Sequence, residues 1–201
     1  MIGGAPIGTL AIGELGIGDD GDLDEPAAVP DPVPLILVTA SVEVYGNVPG
    51  EGELVRYVEP VWRAILKLLE FDSDALHKIP PRELEQLVAA SYDADGYDEV
   101  ILTPRSGDGG RDVIATKNGM HSIRIFDQVK AFAANHHVTA HDVRAMLGIL
   151  HGNVSKGVVT TTAEFAPRLT EDPLLKQFMP HRLELYNGER FLERLGKLRE
   201  K

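Results

Sequence analysis

The chain contains no cysteine, which excludes disulfide bonds and thiolate metal sites alike. It has no apolar run approaching the roughly 18–20 residues that would cross a bilayer, so no membrane span is expected. Positive charge is missing from the start of the chain, where the first basic residue is Arg56; a secretory leader would need basic residues there. A reducing, cytoplasmic location is therefore expected. At 201 residues the chain can bury one substantial core with a small appendage.

The net charge of −11 is unevenly spread. Residues 1–60 hold eleven acidic residues and one basic one, whereas the remainder, with 20 acidic and 19 basic, is close to neutral. The C-terminal part can therefore approach a polyanion, although charge alone does not predict it. The division at about residue 55 separates an acidic, Gly- and Pro-rich N-terminal segment (1–55) from a folded domain (56–201). Within the first, residues 1–32 read either as a flexible linker or as a docking segment, because Ile and Leu alternate loosely there between glycines. The apolar, β-branched stretch 35–45 reads as a strand.

From Pro60 the periodicity is helical, with Val61, Ile65, Leu68 and Leu69 on one face. A second helix is expected from Pro81 to about Ala94, stopped by Asp95-Gly96. Strands follow at about 98–103, 111–116 and 121–130, then a helix at 139–151 and strands at 156–162 and 183–186. A terminal helix begins near 188. This order implies an α/β fold, a mixed central sheet flanked by helices.

The most informative spacing lies between Asp112, in Gly109-Gly110-Arg111-Asp112, and Gln128 in Gln128-Val129-Lys130. The intervening residues read as two strands joined by an Asn118-Gly119 turn, which folds Asp112 back beside Gln128 and Lys130. Residues 128 and 130 share one strand face. A carboxylate, an amide oxygen and an ammonium then converge. Hard divalent cations take such oxygen ligands, and a lysine beside one suits chemistry on phosphate. Taken alone, Asp112 is an ordinary turn aspartate and Lys130 a surface lysine. Asp108 suits a structural turn bond, and His136, His137 and His141 read as surface histidines.

Together these residues resemble the Mrr-type restriction endonuclease family of the PD-(D/E)XK nucleases, in its Gln-x-Lys variant. The resemblance runs from about Pro80 to Leu195. It takes in Pro81-Arg82-Glu83-Leu84-Glu85, Gly96-Tyr97, Val100–Pro104, Asp108–Asp112, Gln128-Val129-Lys130, Val143–Gly148 and Gly157–Thr162 with Phe165. It implies a restriction-endonuclease-like core that hydrolyses phosphodiester bonds of DNA with Mg2+, or with Mn2+ in its place, in restriction of foreign DNA. Asp112, Gln128, Lys130 and Glu85 would be catalytic. Asp112, Gln128, the Val129 carbonyl and Glu85 would hold the metal, with Glu85 preferred to its neighbour Glu83. Arg105, Arg111, Arg144 and Thr161 would contact nucleic acid. Partners would be DNA, a second copy of the chain, and a protein docked through residues 1–55. The alternative is a catalytically weak nuclease fold used for binding or assembly.

Overall fold

The structure, a computed structural model, describes residues 35–105, 110–133 and 135–199. The expectations for residues 1–32 and for Asp108 fall outside them. The order is α1 (Leu35–Thr39), β1 (Val42–Val48), β2 (Gly52–Tyr57), α2 (Glu59–Phe71), α3 (Pro81–Ala94), β3 (Glu99–Leu102), β4 (Val113–Lys117), β5 (Ile123–Lys130), β6 (His137–Val138), α4 (Ala140–Leu147), β7 (Lys156–Thr161), β8 (Glu164–Phe165), α5 (Pro173–Lys176), β9 (Leu183–Tyr186) and α6 (Gly188–Arg199).

Seven strands form one mixed sheet in the order β1-β2-β3-β4-β5-β7-β9, and β6 and β8 make a separate short pair. Pairing is antiparallel from β1 to β5 and parallel across β5, β7 and β9. The parallel part needs crossovers, which α4 and α5 supply. Helices α2, α3 and α6 cover one face, where Trp62, Ile65, Leu84, Leu87 and Phe191 meet Val113, Ala115 and Val158. On the other face Val143, Met146 and Leu175 meet Ile114, Phe126 and Val159. Gly157 permits the close approach of α4 to β7: a Cβ there would stand 2.8 Å from Met146 Sδ and 2.6 Å from Leu150 Cδ2. Strand β4 is buried from Val113 to Thr116, as expected of a central strand with helices above and below.

Two local expectations are corrected. Residues 35–45 are not one strand: Leu35–Thr39 is helical and the strand runs from Val42 to Val48. Val38 is buried in the α3-side core, and a short apolar run does not by its period distinguish helix from strand. Strands β1 and β2 also extend the main sheet, so residue 55 lies inside β2 and not at a structural break.

The second correction concerns the β4–β5 connection. Lys117 pairs with Ile123, leaving residues 118–122 as the loop, and Gly119 does not take the left-handed conformation of a tight Asn-Gly turn. The Asn118 N–H donates instead to the Asp98 carboxylate at 2.7 Å. The longer loop determines the site. A two-residue turn at 118–119 would set Asp112 opposite Ile125, whereas the observed register sets Val113 opposite Asp127, and the Asp112 N–H reaches the Asp127 carbonyl.

Candidate functional site

Side chains of β5 alternate between the two cores. Ile125 and Val129 pack on the α3 side and Phe126 on the α4 side, so Gln128 and Lys130 share the α4 side with Phe126. Asp112 stands one step before β4. Two backbone bonds hold it against β5. Its N–H donates to the Asp127 carbonyl at 2.9 Å, and its Oδ2 accepts the Val129 N–H at 2.7 Å. Within a strand a residue's N–H and C=O point to the same edge, so the Val129 carbonyl also faces the side where Asp112 lies. From β3, Thr103 fixes the other flank, its N–H reaching the Asp112 carbonyl at 3.0 Å and its hydroxyl the Arg111 carbonyl at 2.5 Å.

Gln128 packs its amide against Gly110. That glycine has φ +81°, and a Cβ on it would stand 3.3 Å from Gln128 Nε2. Gln128 Oε1 is buried with no hydrogen-bond partner among the described residues. A buried amide oxygen left unpaired costs about 1–3 kcal/mol, so it marks a place for an electrophile.

Glu85 reaches the same region from α3. A cleft of about 480 Å³ is lined by Pro80, Arg82, Glu83, Glu85, Pro104, Arg105 and Asp112, among others. Pro81 begins α3 with no N–H to satisfy and its φ preset, which fixes where the Glu85 turn stands. Arg82 Nη1 donates to Glu85 Oε2 at 2.7 Å and to the Thr103 carbonyl at 2.8 Å. It thereby ties the start of α3 to the segment leading to Asp112, and it pairs the Glu85 charge. Among the described residues no group of three or more His, Asp or Glu forms a metal cluster, so any cation held here would rely on amide and carbonyl oxygens as well as carboxylates.

Lys130 ends β5 with its carbonyl accepting from Thr161 Oγ1 at 2.8 Å and from the Thr162 N–H at 3.3 Å. Its charge is felt at the start of α4. The Asp142 carboxyl lies below its usual range, chiefly through hydrogen bonds from the Thr139 hydroxyl and N–H, with Lys130 adding a smaller share.

The remaining expected contacts divide. Arg105 is exposed on the cleft wall. The Arg111 guanidinium lies over the Phe126 ring at 5.2 Å. Arg144 is not on that wall: it sits on α4 and pairs with Asp172 at the start of α5. Thr161 is corrected. It is 1% exposed, and its hydroxyl bonds to the Lys130 carbonyl and accepts the Ala163 N–H, so it cannot reach a nucleic-acid backbone. His136, His137 and His141 are exposed.

One residue went unnoticed in the sequence. Asp127 is fully buried, and its Oδ2 accepts from Tyr92 Oη and Thr160 Oγ1, each at 2.9 Å. The signal was present: in the row 125, 127, 129 an acid stands between Ile and Val. Burial pushes its carboxyl up to about 7, against the hydrogen bonds from Tyr92 and Thr160 and the charge of Arg194, while the nearby Asp112 charge adds to the rise. The folded state therefore holds a proton that the unfolded state releases near its ordinary value of 3.8. The resulting stability is complete below that value and is lost as pH rises towards 7. Measured in chelator, wild-type stability relative to Asp127→Asn should fall between pH 5 and pH 8. Parallel stability profiles would place the Asp127 carboxyl in its ordinary range.

A seven-stranded mixed sheet lies between helical layers, with Asp112 just before β4 and Gln128 and Lys130 near the end of β5. The Mrr_cat family model, described as "Restriction endonuclease", matches residues 76–195. The chain belongs to this Mrr-type restriction endonuclease family. No curated protein matches the chain. Among solved structures it is similar to the MspJI restriction endonuclease in complex with a 27-mer oligonucleotide (17% identity, TM-score 0.42), covering 67% of this chain and 30% of that one. It is also similar to the DNA modification-dependent restriction endonuclease AspBHI (20% identity, TM-score 0.48), covering 80% and 39% respectively. The chain thus spans less than half the length of either. No described helix is long and apolar enough to cross a membrane.

Proposed function

We propose that this domain cleaves DNA phosphodiester bonds with the help of a divalent cation, Mg2+ or Mn2+, in restriction of foreign DNA. The observation that carries the reading is the buried Gln128 Oε1, without a hydrogen-bond partner among the described residues, on the strand segment whose neighbouring Asp127 carbonyl and Val129 N–H hold Asp112. The donor set fits a hard cation: a carboxylate of Asp112, the amide oxygen of Gln128, the Val129 carbonyl, and Glu85 in the adjoining cleft. With such a cation bound, the site would gain Lewis-acid stabilisation of the charge that develops on phosphate.

The protein's own groups supply the rest. Asp112, fixed by backbone bonds on both sides, presents its carboxylate without rearrangement. Lys130, on the same face as Gln128, orients the attacking water by hydrogen bonding and places positive charge beside the phosphate oxygens. Arg105 at the rim and Arg111 beside Phe126 are placed to neutralise neighbouring phosphates. Arg82, by pairing Glu85, limits the negative charge that an approaching phosphate meets. Residues 1–55 are strongly acidic and repel phosphate, so this segment is assigned to assembly or regulation and not to chemistry.

A plasmid-cleavage assay tests the reading. Wild-type protein should nick or linearise DNA with Mg2+ or Mn2+ and lose that activity in EDTA. Cleavage undiminished by EDTA would exclude a metal role. Absence of cleavage in any metal would favour a nuclease fold used only for binding or assembly.

A further inference from the structure

Asp127 sits where a valine would pack. Its row on β5 faces the apolar core beneath α3, it is completely buried, and its Oδ1 has no partner among the described residues. Burying a carboxylate this way is unfavourable by several kcal/mol relative to an apolar residue, so local packing does not account for it. What it provides is a fixed joint. A single oxygen, Oδ2, holds the Tyr92 hydroxyl from α3 and the Thr160 hydroxyl from β7.

Each arm of the joint leads to the candidate site. The backbone carbonyl of Asp127 accepts the Asp112 N–H, and two residues on the Val129 N–H holds Asp112 Oδ2, so the β5 backbone at 127–129 forms the cradle of Asp112. Tyr92 stands seven residues after Glu85, two turns along the same side of α3. Arg194, with its side chain 16% exposed, lies 4.3 Å over the Tyr92 ring and holds it from behind.

We propose that Asp127 and Tyr92 are a positioning pair: their buried bond sets the spacing between the helix that carries Glu85 and the strand that carries Gln128, Val129 and Lys130, and so sets the cation affinity of the site. This rests on the metal-assisted reading above. Neither side chain touches the metal or the DNA. Both act through the backbone that presents Asp112.

The test is Mn2+ titration calorimetry on folded protein, with thermal melting recorded for each variant. Tyr92→Phe removes one hydroxyl and keeps the ring. Asp127→Val removes the acceptor in a row that already accepts β-branched side chains. Each should weaken Mn2+ binding about tenfold, the usual scale for groups that orient a ligand without touching the metal. Asp127→Asn keeps an oxygen for both hydroxyls and should stay within about twofold of wild type. In cleavage assays the first two should lower kcat and leave KM for DNA unchanged. If Tyr92→Phe fails to fold, Asp127→Val and Asp127→Asn still separate the outcomes. Mn2+ affinity equal to wild type in the weakened variants, with only melting lowered, would overturn the positioning role and leave the metal reading standing. Wild-type protein that binds no Mn2+ in an Asp112-dependent way would remove the metal reading, and the positioning role with it.

Discussion

Asp112→Ala and Lys130→Ala should each reduce plasmid cleavage by about 10²-fold or more while the protein remains folded. The separation of activity from folding follows from how the two residues are held. The bonds that fix the Asp112 backbone, from its N–H to the Asp127 carbonyl and from the Thr103 N–H to its own carbonyl, do not involve the side chain. The variant loses the carboxylate and leaves the Val129 N–H without its acceptor, at a cost of about 1–3 kcal/mol of stability. Lys130 is similar: its carbonyl keeps its bonds from Thr161 and Thr162, and only the half-buried ammonium stem is removed. Circular dichroism should therefore show a folded protein with a modestly lower melting temperature. Wild-type cleavage by purified Asp112→Ala would remove Asp112 from the mechanism, and the same result for Lys130→Ala would return that residue to the solvent-facing surface.

A second large effect is expected at Gln128. Its Oε1 is buried without a partner among the described residues, so Gln128→Leu, of similar volume but without the oxygen, should be tolerated by the fold and weaken Mn2+ binding by at least about tenfold. Gln128→Glu should retain cleavage or tighten binding, because a carboxylate is the stronger ligand for a hard cation. In the absence of metal the same Glu variant should lose stability, since it buries a second carboxylate next to Val129, whose N–H holds the Asp112 carboxylate. Unchanged metal affinity in the leucine variant would give Gln128 a packing role against Gly110 only.

Much of this was legible in the sequence because the two regular periods are strict. The α3 helix could be read from Pro81 to Ala94 because its start needs a residue without an N–H and its stop is marked by Asp95-Gly96. Gln128 and Lys130 could be set on one face because side chains alternate along a regular ladder such as that of β5 with β7. The connection before them could not. Asn118-Gly119 carries a strong local turn preference, yet the pairing of Lys117 with Ile123 prevails because burial of Ile114 and Phe126 on the α4 side and of Ala115 and Ile125 on the α3 side fixes the register.

The helix at Leu35–Thr39 was hidden for a different reason. Its residues are apolar and β-branched in a run too short to show a period, and packing near α3 decides its conformation. Thr161 shows the limit of reading contacts from residue type. A threonine at a strand end serves a backbone carbonyl as well as a ligand, and only its burial distinguishes the two. Asp127 was not legible on its own because a single acid directly before Gln128-Val129-Lys130 reads the same whether it faces the core or solvent. An acid in the inward row of a strand beneath a helix tyrosine is the pattern to look for.

The most direct measurement is anomalous diffraction from crystals of the protein grown or soaked with Mn2+. A cation at the candidate site should give a peak within coordination distance, about 2.0–2.3 Å, of an Asp112 carboxylate oxygen and Gln128 Oε1, with the Val129 carbonyl turned towards it. No peak there at a Mn2+ concentration that supports cleavage, or a peak on other residues, would contradict the assignment of Asp112 and Gln128 as the metal-holding pair.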